Sequence, residues 1–188
     1  MQNAIKSGLI DKTQFSLFRI YEKMILESRK TLASCSARKR ILRDVLDSIS
    51  ISEFIPQNAI VCDVGSGMGF PGIPLAIVRR DLRIDLLEPN PRKYEFLRKV
   101  KSKLNLDFGI YRVSACDWHK RYQVIIARRL GSLQKLYKLT EHLVTNHGKL
   151  IAFRGTNLAL ELRQVRAKLI KAHPRKHFNG YIVELQWQ

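Results

Sequence analysis

The chain has 188 residues, enough for one domain with a buried core and too few for two sizeable ones. Its 34 Lys and Arg against 16 Asp and Glu leave a net charge of +18, spread along the chain rather than gathered in a tail. Self-repulsion on that scale points to a polyanionic partner, nucleic acid before a membrane surface, with a merely soluble basic protein as the plain alternative. In chain order, Leu17, Ile20, Tyr21, Met24 and Ile25 recur at helical spacing and predict a helix over about 13–30. A second helix carries Ile41, Leu42, Val45, Leu46 and Ile49 on one face and Arg38, Lys39, Arg40 and Arg43 on another. That basic face reads equally as a solvated surface or as an RNA-backbone contact. Residues 1–55 are therefore expected to be a small N-terminal helical extension, and 56–188 a cofactor-binding domain.

After Pro56 the pattern alternates. Strands are expected at 59–63, 84–88, 108–113, 122–127 and 149–154, and helices near 72–80, 91–104, 131–145 and 157–171. This is an α/β order, predicting a mostly parallel sheet with helices on both faces and ligands at the carboxyl ends of its strands. The segment 181–187 alternates weakly and is expected to pair antiparallel at one edge.

The sharpest motif runs from Asp63 to Pro74. An apolar run, Ala59 to Cys62, ends in Asp63; Gly65, Gly67 and Gly69 alternate behind it, and an apolar helix follows. The spacing is neither the Gly-x-Gly-x-x-Gly of a dinucleotide site nor the Gly-Lys-Ser/Thr ending of a P-loop. Alternating glycines behind an acid suit S-adenosylmethionine (AdoMet), which has no pyrophosphate and carries a cationic amino-acid end. Asp63 can attract that amine while the glycines make room for it. Glu88 ends the next strand, where a doubly wound fold places its ribose-binding carboxylate. The bland alternative is a tight turn with an exposed Glu.

The cysteines Cys35, Cys62 and Cys116 are odd in number and form no CxxC pair, which argues for a reducing compartment and against a disulfide framework or zinc site. Met1 to Phe15 lacks a signal-peptide core, and no apolar run approaches membrane-spanning length. The expectation is a cytoplasmic monomer that needs no membrane and no metal. His119, His142, His147, His173 and His177 fall at loops or helix ends by pattern and read as surface residues.

The stretch from Asp63 to Ile77, with its Gly69-Phe70-Pro71-Gly72-Ile73-Pro74 core, closely resembles the signature of the RsmG/GidB family of 16S rRNA guanine-N7 methyltransferases. Leu46-Asp47-Ser48-Ile49, Leu86-Leu87-Glu88 with Arg92-Lys93 and Phe96-Leu97, and Phe153-Arg154-Gly155 resemble further family segments. The resemblance covers roughly residues 40 to 165. It implies a Rossmann-like class I methyltransferase fold, AdoMet as donor, and small-subunit rRNA or a ribosomal particle as partner. By motif position Gly65 and Phe70 would line the cofactor site, Ala115 and Cys116 would match the adenine-contacting stretch, and Arg128 and Arg154 would match basic residues at the ends of strands four and five. The chain departs from the family at Ser28–Ala33, where a Trp-Asn…Asn-Leu-Thr region is missing. It departs again at Ser114 for arginine, at Ala127-Arg128-Arg129 for Ser-Arg-Ala, and at Arg154 for lysine.

Guanine N7 has a lone pair and no proton, so its methylation needs alignment rather than a general base. Arg128 and Arg154 are the catalytic candidates, expected to hold guanine O6 or a phosphate; a phosphate contact without a catalytic role is the alternative for each. Cys116 reads as a small buried residue rather than a nucleophile. A rival reading of the whole chain is a diverged, ribosome-associated AdoMet- or RNA-binding module without turnover. A third is a methyltransferase acting on another RNA or on a small molecule.

Overall fold

The computed structural model describes residues 10–28, 35–174 and 179–187. Helix α1 (Lys12–Ser28) opens on a reciprocal cap. The Gln14 N–H donates to Asp11 Oδ1 at 2.7 Å, and the Asp11 N–H donates to Gln14 Oε1 at 3.0 Å. Phe18, Tyr21 and Ile25 recur every three or four residues along it and are fully buried. In α2 (Cys35–Ser50), Ala37, Ile41, Val45 and Ile49 form a similar buried stripe. Residues 29–34, which hold the end of the expected first helix and most of the Ser28–Ala33 departure, lie outside the described residues, as does His177.

The alternation then follows as β1 (Ile60–Val64), α3 (Gly72–Val78), β2 (Arg83–Leu87), α4 (Pro91–Leu104), β3 (Gly109–Tyr111), β4 (Tyr122–Arg128), α5 (Leu133–Thr140), β5 (Val144–Arg154), α6 (Leu158–Leu162), β6 (Ala167–Pro174) and β7 (Tyr181–Trp187). Asn90 starts α4 by accepting the N–H groups of Arg92 and Lys93, and Pro91 fills the first turn, where no N–H is needed. The sheet order is β3-β2-β1-β4-β5-β7-β6. The first five strands in that order are parallel, and β7 runs antiparallel to both neighbours. Alternate side chains face opposite layers. Val61, Ile84, Ile126 and Ile151 pack toward α1–α4, whereas Cys62, Ile125, Leu150 and Val183 pack toward α5 and α6. The two N-terminal helices share one hydrophobic cluster with β1, β2 and β4.

Three expectations are corrected. The helix expected over 131–145 ends at Thr140; a 3-10 turn (Glu141–Leu143) follows and β5 begins at Val144. The helix expected over 157–171 is only Leu158–Leu162, and Ala167–Pro174 is a strand whose backbone pairs with β7. The C-terminal strand is antiparallel as expected, but it is interior, because β6 takes the edge. His173 consequently lies in a strand, stacked on Phe54 and 2.9 Å from Glu184, not in a surface loop.

Candidate functional site

The strand order reverses between β1 and β4, and a crevice outside the carboxyl ends is expected at such a point. The glycine loop occupies it. Gly65 and Ser66 both donate their N–H to Leu87 O, at 2.9 and 3.1 Å, so the loop starts folded over the end of β2. Gly65, Gly67 and Gly69 all have positive φ (69°, 61° and 94°), which explains the spacing. A Cβ on Gly69 would stand 2.3 Å from Ile73 Cδ1, whereas one on Gly67 would meet nothing nearer than 3.8 Å. The middle of the loop thus faces open space while its flanks are packed.

The two acids meet the loop from below and beside it. Asp63 is fully buried and accepts the Gly72 N–H through Oδ2 at 3.0 Å; its Oδ1 has no hydrogen-bond partner. Burial pushes the Asp63 carboxyl up from the ordinary 3.8 to about 7, against the lowering effect of the Gly72 and Ser66 hydrogen bonds. Glu88, also buried, accepts the Gly67 N–H at 2.7 Å through one oxygen and the Asn90 N–H at 2.9 Å through the other. Asp63, Gly65, Gly67, Gly69 and Glu88 therefore form one connected unit.

Helix α1 pins that unit from outside. Tyr21 donates its hydroxyl to Met68 O at 2.5 Å, and its ring lies 5.5 Å from that of Phe70. Phe70 in turn faces Arg128, whose guanidinium is 5.8 Å from its centroid and 5.6 Å from that of Phe153. Arg128 is buried and ion-paired to Asp44, with Asp47 at 3.7 Å, both on α2. Burial pulls its pKa down while Asp44 pushes it up.

The turn after β4 is held on three sides. Arg129 takes a left-handed φ of 58° and reaches Asp44 Oδ1 at 3.3 Å; Leu130 packs 3.1 Å from where a Gly65 Cβ would be. Gly131 O accepts from both terminal nitrogens of Arg154 at 3.1 Å. Arg154 is itself paired with Glu161, and Glu161 also accepts the Leu133 N–H at 2.8 Å. Both arginines singled out by sequence are therefore directed at carboxylates of this chain.

Ala115 and Cys116 lie in a 3-10 turn capped by Ser114, which accepts the Cys116 N–H at 3.3 Å. His142 Nε2 lies 3.0 Å from the carbonyls of Ala115 and Trp118. Ala115 shares a buried cluster with Val64 and Leu87, the strand ends on which the glycine loop folds. Cys116 is exposed, which corrects the expectation of a buried cysteine; Cys62, in β1, is buried. Sequence reasoning missed Tyr21, Asp44, Leu130 and Glu161. Only Asp44 left a signal, an acid on the apolar face of α2 one turn before Asp47.

A family profile described as rRNA small subunit methyltransferase G matches residues 14–182. Proteins named ribosomal RNA small subunit methyltransferase G are similar to this chain. The Streptomyces coelicolor protein is 38% identical over 133 residues, 69% of this chain and 56% of that protein. The Corynebacterium jeikeium protein is 38% identical over 135 residues, 69% and 61% respectively. The chain spans about half to three-fifths of the length of such relatives. Among solved structures, the B. subtilis tRNA methyltransferase TrmK gives a TM-score of 0.61 at 14% identity, covering 76% of this chain and 65% of that one. M. jannaschii TYW2 in complex with AdoMet gives 0.58 at 16% identity, covering 76% and 73%. The architecture is the Rossmann-like class I methyltransferase fold.

Proposed function

The chain belongs to the GidB family, rRNA small subunit methyltransferase G, and from that membership we propose that it transfers a methyl group from AdoMet to N7 of a guanine in small-subunit (16S) rRNA. The observation that carries the reading is the two-acid loop: a buried Asp63 with an orphaned oxygen and a Glu88 tied to it through Gly67, at the ends of adjacent parallel strands. An unpartnered carboxylate oxygen fits a ligand that carries an amine, and the open face over Gly67 fits a ligand that must approach backbone closely. In this reading Asp63, Gly65, Gly67 and Gly69 hold the amino-acid end, Glu88 the ribose hydroxyls, and Ala115 and Cys116 the adenine. AdoMet, when bound, supplies an electrophilic methyl group.

The work left to the chain is alignment and exclusion of water, since N7 brings its own lone pair. With their guanidiniums committed to Asp44 and Glu161, Arg128 and Arg154 serve as positioning residues. Arg128 fixes Phe70 at the rim of the loop, and Arg154 fixes the turn after β4 through Gly131 O. The same reading makes the protein a cytoplasmic monomer; no described helix is long and apolar enough to cross a membrane.

Labelled AdoMet offered with deproteinised rRNA and with intact small subunits tests the proposal. Label should enter a single guanine, located by strand scission specific to N7-methylguanosine. A second reading, a module that binds donor or RNA without transfer, is favoured by the burial of both arginines in ion pairs. Tight AdoMet binding with no label in either RNA would select it.

A further inference from the structure

Three cations of α2, Lys39, Arg40 and Arg43, are exposed, and none forms an ion pair among the described residues. Arg38 beside them differs, leaning to Glu22 at 3.8 Å. Residues three or four apart on a helix have Cβ atoms about 5–6 Å from each other, so Arg40 and Arg43 are neighbours on the surface and Asp44, buried, lies beside Arg40 at its inner border. Asp44 marks where that surface meets the sheet, because its Oδ1 holds Arg129 as well as Arg128. The Arg129 side chain is 63% exposed. Its backbone leads directly into Leu130, which packs against the glycine loop, and follows Arg128, which faces Phe70. A row of cations thus runs from the surface of α2 to the rim of that loop.

We infer that Arg40, Arg43 and Arg129, with Lys39 behind them, form the rail on which the phosphate backbone of the substrate RNA docks, and that Asp44 sets its inner end. This rests on the RNA reading above. Guanidinium forks match phosphate oxygens bidentately, and three of the four residues are arginines. The other basic helix is a poorer candidate. Arg98, Lys99 and Lys103 line a groove between α1 and α4 together with Glu27 and Glu95, and Arg98 is already 3.4 Å from Glu95. At 1.5 Å per residue, Lys103 also lies about 18 Å along α4 from the end nearest the glycine loop. Lys39, Arg40 and Arg43 meet no carboxylate among the described residues, and their row ends at the site through Arg129, which shares Asp44 Oδ1 with Arg128.

The test compares the full chain with an Arg40→Glu/Arg43→Glu variant, an Arg129→Ala variant and an Arg98→Glu/Lys103→Glu control. Affinity for deproteinised small-subunit rRNA is measured by filter binding across a salt series, and AdoMet affinity by calorimetry. The α2 double variant should lose at least tenfold in RNA affinity. Its slope of log K against log salt should fall by about 1.4 to 1.8, two contacts at roughly 0.7 to 0.9 each. Arg129→Ala should lose several-fold in RNA affinity by itself, and the α2 double variant, whose altered side chains touch no part of the glycine loop, should keep AdoMet affinity within twofold of the unaltered protein. If the unaltered protein binds RNA and neither α2 nor Arg129 changes matter, the rail is wrong and the RNA reading stands. Should the unaltered protein bind AdoMet but no RNA at any salt, the RNA reading falls and takes the rail with it.

Discussion

Replacing Asp63 by Asn should make the protein more stable at alkaline pH and useless as a donor site. The folded protein holds the Asp63 proton up to about pH 7, whereas the unfolded chain releases it near the ordinary 3.8. Between those values the folded state binds the extra proton, so its stability declines as pH rises, by about 1.4 kcal/mol per pH unit, and levels off above 7. From pH 5 to pH 8 the wild type should therefore lose about 3 kcal/mol that an Asn variant does not lose. The cause is desolvation of a carboxylate that Gly72 and Ser66 only partly satisfy. Urea unfolding at pH 5, 6, 7 and 8 measures the difference, with AdoMet titration alongside. Wild-type affinity should rise through pH 7 as the carboxylate ionises, and the variant should bind weakly at every pH. A stability difference that stays constant across the four pH values would refute the argument.

Gly67→Ala should cost about 1 kcal/mol of stability, for a side chain at positive φ, yet weaken AdoMet by more than tenfold because the methyl enters the open face of the loop. Thermal melting and calorimetry separate the two effects. Tyr21→Phe removes the bond to Met68 O and should cost about 1 kcal/mol while loosening AdoMet several-fold; unchanged affinity would mean α1 does not hold the loop in place. Asp44→Ala strands the buried Arg128 and should cost about 3 kcal/mol in urea unfolding; a loss below 1 kcal/mol would show that Asp47 alone can carry that charge. Cys116 should be alkylated in the native protein and Cys62 only after unfolding, as read by peptide mass mapping. If the turn at Ala115 meets the adenine, AdoMet should slow the labelling of Cys116.

The first half of the sheet was legible because its signals are local. Asp63 ends an apolar run, three glycines demand positive φ within five residues, and Asn90-Pro91 announces α4 by its cap. Where the reading failed, the partner that a segment meets decided the outcome. Residues 157–171 carry Leu158, Leu162, Val165 and Leu169 at spacings that imitate a helix. Yet Ala167–Pro174 satisfies its backbone against Tyr181–Trp187, and tertiary pairing overrides local preference. Arg128 and Arg154 were found as basic residues at strand ends, but not their partners. Asp44 lies 84 positions before Arg128, and no periodicity announces such a pair. Cys116 was misjudged because burial of a lone small residue depends on which side of a turn it occupies, and only the fold decides that.

The two margins of the sheet have a consequence for life at high concentration. One margin, β3, is three residues long and offers a neighbouring molecule little to hydrogen-bond with. The other, β6, exposes Leu169 and Ile170, but Lys168 and Lys171 flank them and the register shifts between Leu169 and Lys171. An incoming strand would have to strip water from both ammonium groups and follow a broken ladder. Copies of the chain are thereby discouraged from zippering edge to edge, and the excess positive charge that suits a polyanion also keeps the molecules apart.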